Sequence, residues 1–361
     1  MTGLGHCHPR LADVITRQAL KLWHVSNAFG IPEQEALAER LCAATFADRV
    51  FFSNSGAEAL ETAIKTAHRY HFVNGNPQRY RLLTFQGDFH GRTLATVAAG
   101  GQPKYLEGFG PPAPGFDSVP FGDIAALEAA CTDDTAAVPI EPIQGKSGVH
   151  ALSPADLARI RALCDRKGLL LIFDEVQTGV GRTGHLFAYQ ASGTTPDILA
   201  SAKGLGNGFP VAACLAIEGV APGMTPGTHG STFGGNPLAM TIASEVLDII
   251  LADGFLDQVR ANSVLLRNGL EELAADYPAV IESVRGVGFL LGLKCALPHR
   301  EVADAALGHG LLTILAGDNV LRVLPPINIE RSDIDEGLRR LRMTAHTLSA
   351  DNDVKAQGSS A

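Results

Sequence analysis

The chain has 361 residues, of which 46% are hydrophobic, so it can bury a large core, and we expect roughly two or three domains. The net charge of −9 argues against a nucleic acid or an anionic membrane as the main partner. The six cysteines form no C-x-x-C pair, and no apolar run reaches the roughly 18 residues of a membrane span. We therefore expect a soluble, cytoplasmic protein that binds small molecules and no metal.

The first two thirds of the chain alternate strand-like and helix-like segments. Residues 49–54 predict a strand, and residues 57–70 predict a helix because apolar residues recur three and four positions apart. Ser153 and Pro154 are typical of a helix start, and Gly168 of its end. Further strands are predicted at residues 81–86, 136–142, 169–176, 197–202 and 212–218. This alternation indicates an α/β domain with a mainly parallel sheet covered by helices.

The pattern changes after Asn236. Two long helices are predicted over residues 237–252 and 256–277, followed by strand-like runs at 284–295 and 320–329 around a further helix. These segments indicate a second, smaller domain. The residues from about 350 onward are polar and are expected to fray.

Ser55, Gly56 and Ala57 stand at a predicted strand-to-helix turn. Such a turn presents several amide donors and the positive end of the helix dipole, which suits a phosphate. The same residues are also common at ordinary helix caps, so alone they do not identify a ligand.

Asp174 and Lys203 follow two predicted strands. A buried acid at the end of the apolar run LLLIFD requires a partner, which a cationic ring nitrogen or a salt bridge supplies equally well. Lys203 follows the strand ILAS and precedes glycines at 204, 206 and 208, which allow close approach of a ligand. An amine that bonds to an aldehyde and an acid that pairs with a ring nitrogen together suit pyridoxal phosphate (PLP).

Nine blocks of the sequence resemble the fold-type I, class III PLP-dependent aminotransferases, and most of all the acetylornithine aminotransferases. They are GLGHCHP, RVFFSNSGAEALETAIKTA, FHGRT, EPIQG, LLIFDEVQTGVGRTG, SAKGLGNGFP, THGSTFGGNP, VRGVGFLLG and VLRVLPPI. The resemblance implies a large PLP-binding domain at residues 26–250 with a mainly parallel seven-stranded-type sheet. It also implies a smaller α+β domain at 251–361, to which residues 1–25 contribute an N-terminal part.

The resemblance also implies a role for each residue of the site. Lys203 would be the Schiff-base lysine, Asp174 the partner of the ring nitrogen, and Gln177 the partner of the phenolic oxygen. The remaining cofactor-binding residues would be Phe89 stacked on the ring, Ser55, Gly56 and Ala57 at the phosphate, Glu175, Val176, and the partner subunit's Thr232. This last contact implies a homodimer. The substrate would be bound by Arg92 and Arg322, which suit carboxylates, and by Ser231, with His90 as a supporting residue.

The implied reaction transfers the terminal amino group of N-acetylornithine to 2-oxoglutarate. Its products are N-acetylglutamate 5-semialdehyde and glutamate, in arginine biosynthesis. Ornithine, succinylornithine and 4-aminobutyrate are alternative donors, and a catalytically impaired PLP-binding relative is an alternative of another class. An NAD-dependent dehydrogenase is disfavoured, because the fingerprint GVGRTG at residues 179–184 is followed by a poor helix start.

Lys146 departs from the family pattern. In the family, EPIQG is usually followed by a glutamate that pairs with the arginine matching Arg322. A lysine there would repel Arg322 or bind a carboxylate itself, so the preferred donor could carry an extra acidic group.

Overall fold

A computed structural model describes residues 2–358, with side chains through residue 350. The chain forms two compact units. The first contains residues 2–142, 152–181 and 185–252, and the second contains residues 143–151, 182–184 and 253–358. The domain boundaries implied by the resemblance stay a prediction. None of the helices within residues 2–358 combines the length and the apolar character that a membrane span requires.

The helices and strands are numbered in chain order. The helices are α1 Pro9–Ala19, α2 Pro32–Ala44, α3 Gly56–Val73, α4 Leu94–Gly100, α5 Pro103–Leu106, α6 Ile124–Ala130, α7 Pro154–Lys167, α8 Tyr189–Ser192, α9 Pro237–Ile250, α10 Phe255–Asp276, α11 His299–Gly308 and α12 Arg331–Gly358. The strands are β1 Arg49–Ser53, β2 Arg81–Phe85, β3 Phe116–Val119, β4 Thr135–Ile140, β5 Ile143–Gln144, β6 His150–Ala151, β7 Leu170–Asp174, β8 Ile198–Ser201, β9 Ala212–Ala216, β10 Ile281–Val287, β11 Leu290–Cys295, β12 Ile314–Ala316 and β13 Val320–Val323.

A seven-stranded sheet lies in the first unit, in the order β1-β9-β8-β7-β4-β2-β3. The strands from β8 to β3 pair in parallel, whereas β9 is antiparallel to both of its neighbours. The expected mainly parallel α/β architecture is thus confirmed. The edge strand β3 was not predicted, because its sequence FDSV lacks an apolar run.

The centre of this sheet is buried on both faces. All residues of β4, β7, β8 and β9 are buried, as is typical of parallel strands covered by helices. Helix α3 packs on one face through small residues, with Ala63 and Ala67 in the same core cluster as Leu82 and Ile172. These small side chains bring α3 close to the sheet, and this contact positions its N-terminus.

Local capping explains two helix ends. Ser55 caps α3 by accepting a hydrogen bond from the amide of Glu58 at 3.3 Å, and Ser153 caps α7 by accepting one from the amide of Asp156 at 3.1 Å. Gly168 ends α7 with φ 63°, the left-handed conformation that favours glycine. The predicted start and end of α7 are confirmed.

The second unit contains a four-stranded antiparallel sheet in the order β10-β11-β13-β12 and the two-stranded sheet β5-β6. The strand-like run predicted over residues 284–295 forms two strands, because Gly288 turns the chain at φ 60° and makes a hairpin of β10 and β11. The strand predicted over 320–329 ends at Val323, since Pro325 and Pro326 have no amide to donate. Helix α12 continues through the expected frayed segment to Gly358, and residues 359–361 lie outside the described residues.

Candidate active site

Three ends of secondary structure elements surround one cavity in the first unit. Strand β7 ends at Asp174, which pairs in register with Ala200 of β8, and Lys203 follows two residues after β8 ends. The third element is the N-terminus of α3. The cavity has a volume of about 430 Å³ and is lined by Asn54, Ser55, Gly56, Ala57, Phe89, His90, Gly91, Arg92, Asp174, Val176, Ala202, Lys203 and residues 208–211. It lies at the carboxyl edge of the parallel strands, where α/β proteins bind ligands.

Lys203 has an unusual backbone conformation. It begins a short 3₁₀ helix with φ 45°, in the left-handed region that non-glycine residues avoid. Such strain costs roughly 1–3 kcal/mol and persists only where the surroundings enforce it. Asn207 holds the other end of this turn, because its side chain accepts from the amide of Leu4 at 2.7 Å and donates to the carbonyl of Gly5 at 3.1 Å.

Asp174 is buried and held at both carboxylate oxygens. Its Oδ1 accepts from the amide of Val176 at 3.0 Å, and its Oδ2 accepts from Nδ1 of His90 at 2.8 Å. On the other side of the ring, Nε2 of His90 lies 3.5 Å from Oδ2 of Asp88. Burial by itself lowers the pKa of His90, but its hydrogen bonds to Asp174 and Asp88 and their charges raise the pKa well above its usual value. The two carboxyl groups beside the His90 ring thus favour its protonated form.

Glu141 adds a further carboxyl group beside His90. It follows the end of β4 and is buried, and its Oε2 accepts from the amide of Phe89 at 2.8 Å. Burial raises the pKa of Glu141 well above its usual value, and the negative charges of Asp174 and Asp88 raise it further. The hydrogen bond from the Phe89 amide to Glu141 fixes the backbone beside Phe89.

Glu175 is turned away from this cavity, although it follows Asp174 directly. Its carboxyl group accepts from the amides of Ala188 and Tyr189 and from the hydroxyl of Thr178. Complete burial raises the pKa of Glu175 to about 7, against the lowering effect of these hydrogen bonds. Its neighbour Val176 does line the cavity.

Ser55, Gly56 and Ala57 form an anion cradle at the N-terminus of α3. The amides of a first helical turn have no partner within the helix and point toward the N-terminal end. A Cβ atom on Gly56 would lie 2.8 Å from Cγ1 of Val176, so the backbone approaches the opposite wall in a way that only glycine permits.

The structure brings Phe89 and Arg92 into the same cavity. The guanidinium carbon of Arg92 lies 5.6 Å from the centre of the Phe89 ring. Ser231 does not line the cavity itself. Its Oγ accepts a hydrogen bond at 3.2 Å from the side-chain amide of Asn54, which is a lining residue. Gln177 is half-buried and Thr232 is exposed, and neither contributes to the lining.

Arg322 and Lys146 belong to the second unit. Arg322 lies on β13, and its Nη1 donates to the carbonyl of Gly145 at 3.2 Å. The backbone carbonyl of Lys146 accepts from the amide of Gly317 at 2.9 Å. Arg322 thus contacts the residue that immediately precedes Lys146.

Sequence reasoning missed Asp88, Glu141 and Tyr105. Glu141 follows an apolar strand just as Asp174 does, so the same signal could have identified it. Asp88 and Tyr105 lie in loops or short helices, and their contacts with His90 and Arg92 arise from tertiary structure alone. The fingerprint GVGRTG lies in a series of turns and does not open a helix, which removes the structural context of a dinucleotide site.

Comparison with known proteins adds independent information. Residues 1–344 match the family described as Aminotransferase class-III. The acetylornithine aminotransferase of Mesorhizobium japonicum is 57% identical over 349 residues, which cover 97% of this chain and 88% of that protein. That of Agrobacterium fabrum is 57% identical over 350 residues, with the same shares of the two chains.

Solved structures are similar over nearly the whole chain. The ornithine aminotransferase of Toxoplasma gondii, which has partial PLP occupancy at its active site, matches with a TM-score of 0.93 and 32% identity. The match covers 98% of this chain and 85% of that one. The N-acetylornithine aminotransferase of Stenotrophomonas maltophilia matches with a TM-score of 0.84 and 38% identity over 97% and 89% of the two chains. The chain therefore belongs to the class-III aminotransferase family.

Proposed function

We propose that the chain is a PLP-dependent aminotransferase that transfers the terminal amino group of N-acetylornithine to 2-oxoglutarate. The products are N-acetylglutamate 5-semialdehyde and glutamate, and the reaction belongs to arginine biosynthesis. The observation that carries this proposal is the meeting of Lys203, Asp174 and the N-terminus of α3 around one cavity. A cytoplasmic location is part of the same proposal.

The residues of the cavity fit PLP in their chemistry. The cradle at Gly56 suits a phosphate, the Asp174 carboxylate suits a cationic ring nitrogen, and Phe89 offers an aromatic face. When bound, PLP supplies an aldehyde that bonds to amines and a ring that accepts electrons from the adjacent carbon. Lys203 is the amine that would bond to this aldehyde.

Each residue has a defined part in the proposed reaction. Lys203 would hold the cofactor between turnovers, and its free amine would act as the base that accepts the proton from the carbon bearing the donor's amino group. Asp174, whose carboxylate is fixed by its hydrogen bond to His90, would pair with the protonated ring nitrogen. Gln177 would bond to the phenolic oxygen, and Ser55, Gly56, Ala57 and Val176 complete the cofactor site.

Two arginines would hold the carboxylates of the substrates. Arg92 lines the cavity, and Arg322 stands on β13 of the second unit. A planar guanidinium binds a carboxylate through two parallel hydrogen bonds, which fixes the orientation of the substrate as well as its affinity. Ser231 is placed beside the substrate in this proposal.

The donor is tested by a half-reaction without any keto acid. N-acetylornithine is favoured because relatives that are 50–57% identical carry the name acetylornithine aminotransferase. The absorbance spectrum of the cofactor-loaded protein is recorded before and after the addition of N-acetylornithine, ornithine, succinylornithine or 4-aminobutyrate. Conversion of the visible cofactor band to a near-ultraviolet band, fastest with N-acetylornithine, supports the proposal. A band that changes only with another amine redirects it to that donor, and no cofactor band at all contradicts PLP use.

We also propose a homodimer in which the partner subunit's Thr232 completes the phosphate site. Support comes from the position of Thr232, which is exposed and outside the cavity of its own chain, beside the 58%-exposed Phe233. The test mixes two inactive variants, Lys203→Ala and Thr232→Ala. A mixed dimer would contain one site with both residues intact, so mixing should restore activity, whereas sites confined to one subunit would stay inactive.

A further inference from the structure

Arg92 lines a second cavity as well as the proposed cofactor cavity. The second cavity has a volume of about 350 Å³, and its walls come from residues 92–113, with Leu94, Val97, Tyr105 and Phe109 among them. The residue that would bind a substrate carboxylate therefore stands at the junction of two cavities.

Tyr105 fixes the position of Arg92. The guanidinium carbon lies 4.0 Å from the centre of the Tyr105 ring, and the Phe89 and Tyr105 rings meet edge to face with centres 5.9 Å apart. A cation stacked on an aromatic ring uses the face of its guanidinium plane. The N–H groups at the edge of that plane stay available for a carboxylate.

The walls of the second cavity are mostly apolar, with Lys104 among them, and two large apolar side chains of the lining are exposed. Leu94 is 70% exposed and Phe109 is 72% exposed, so both can contact the apolar part of a ligand that enters this cavity. In an N-acylated amino acid, the α-carboxylate and the acylated nitrogen share one carbon atom. A ligand whose carboxylate binds Arg92 therefore has its acyl group within reach of these walls.

We propose that this second cavity is the subsite for the acyl group of an N-acyl amino donor, and that Tyr105 is a positioning residue that holds Arg92 at its entrance. The inference rests on the proposed function and assigns residues to the part of the donor that does not react. It predicts that the enzyme accepts acyl groups up to the size that the cavity can hold.

The test measures binding to the cofactor-loaded protein by calorimetry, with ligands that lack the reactive amine. They are pentanoate and the N-acetyl, N-propionyl and N-butyryl derivatives of norvaline. Affinity should rise by up to about fourfold for each added methylene that becomes buried. Ala113→Trp, which fills the cavity, should remove this rise while leaving pentanoate binding unchanged. Leu20→Trp, at an 85%-exposed site on the same unit, should keep the rise in affinity with acyl length.

Three further substitutions keep the proposal testable if Ala113→Trp does not fold. Val97→Ala enlarges the cavity and should move the best ligand toward the longer acyl chain. Tyr105→Leu should weaken all the carboxylate ligands alike, including pentanoate, whereas Tyr105→Phe keeps the aromatic face and should bind them as the original protein does.

The proposal is overturned if acyl length leaves affinity unchanged, or if Ala113→Trp and Leu20→Trp give the same profile. Failure of the proposed function has a different signature. In that case the norvaline series binds as described, but acylornithines leave the cofactor spectrum unchanged.

Discussion

His90 lies between Asp174 and Asp88, with Nδ1 2.8 Å from one carboxylate and Nε2 3.5 Å from the other. All three side chains are buried, so their charges act on each other with little screening by water. The Asp174 carboxylate at the end of an apolar strand therefore has a hydrogen-bonding partner that compensates for its burial.

Replacing His90 with alanine should therefore destabilise the protein strongly. The substitution leaves two buried carboxyl groups without the cation between them, which costs roughly 3–5 kcal/mol of the free energy of unfolding. Because the pKa of His90 is raised in the folded state, its contribution is complete below the unfolded value of 6.5 and is lost as pH rises through the folded value. The free energies of unfolding of the original and variant proteins, measured in urea, should differ less as the pH rises.

His68→Ala is the matched control for this experiment. His68 makes one hydrogen bond at 2.8 Å to the backbone carbonyl of Tyr80, and burial lowers its pKa. Its loss should cost about 1 kcal/mol. Equal effects of the two substitutions would contradict the role given to His90.

Gly56→Ala should weaken cofactor binding and destabilise the cofactor-free protein only modestly, by about 1–3 kcal/mol. The added Cβ would meet Val176 at 2.8 Å and narrow the phosphate cradle, whereas alanine in a first helical turn is not itself unfavourable. Overpacking of this kind corresponds to roughly a tenfold loss of PLP affinity or more. Fluorescence titration of the cofactor-free protein measures it. The double variant with Val176→Ala should recover much of the affinity, and a lack of recovery would count against the steric explanation.

Glu175→Gln should change how stability depends on pH. In the folded protein burial raises the pKa of Glu175 to about 7 from 4.5, so its ionisation opposes folding increasingly as pH rises between these values. The variant loses hydrogen bonds and should be less stable than the original protein at about pH 4.5. Between pH 4.5 and pH 7, the free energy of unfolding of the variant should rise by roughly 3 kcal/mol relative to that of the original protein. Parallel pH profiles of the two proteins would refute a neutral Glu175.

Lys146→Glu tests whether the lysine that stands in place of the family's usual glutamate determines which donor the enzyme prefers. Arg322 donates to the carbonyl of Gly145, so a glutamate at the next position would offer it an opposite charge in place of a like one. The catalytic efficiency of the half-reaction with N-acetylornithine, relative to succinylornithine, should rise roughly tenfold. Lys146→Met removes the positive charge alone and should give a smaller rise. An unchanged preference in Lys146→Glu would exclude Lys146 as a determinant of the donor.

Local sequence patterns account for the parts of the fold that were predicted correctly. The buried runs around β7 and β8 and the cap at Ser55 depend on residues within a few positions of each other. The hairpin of β10 and β11 and the edge strand β3 were missed, because their sequences mix glycine or polar residues into short runs. Pairing with a neighbouring strand decides such segments more than their own composition does.

The sequence by itself determined the family pattern, the mainly parallel sheet and the candidate pair Asp174 and Lys203, because apolar periodicity and strand ends are local properties. Only the tertiary structure brought Asp88 and Glu141 beside His90 and stacked Tyr105 on Arg92. These contacts join residues from different strands and loops, so their energies depend on distance and burial in space. Neither quantity can be calculated from spacing along the chain.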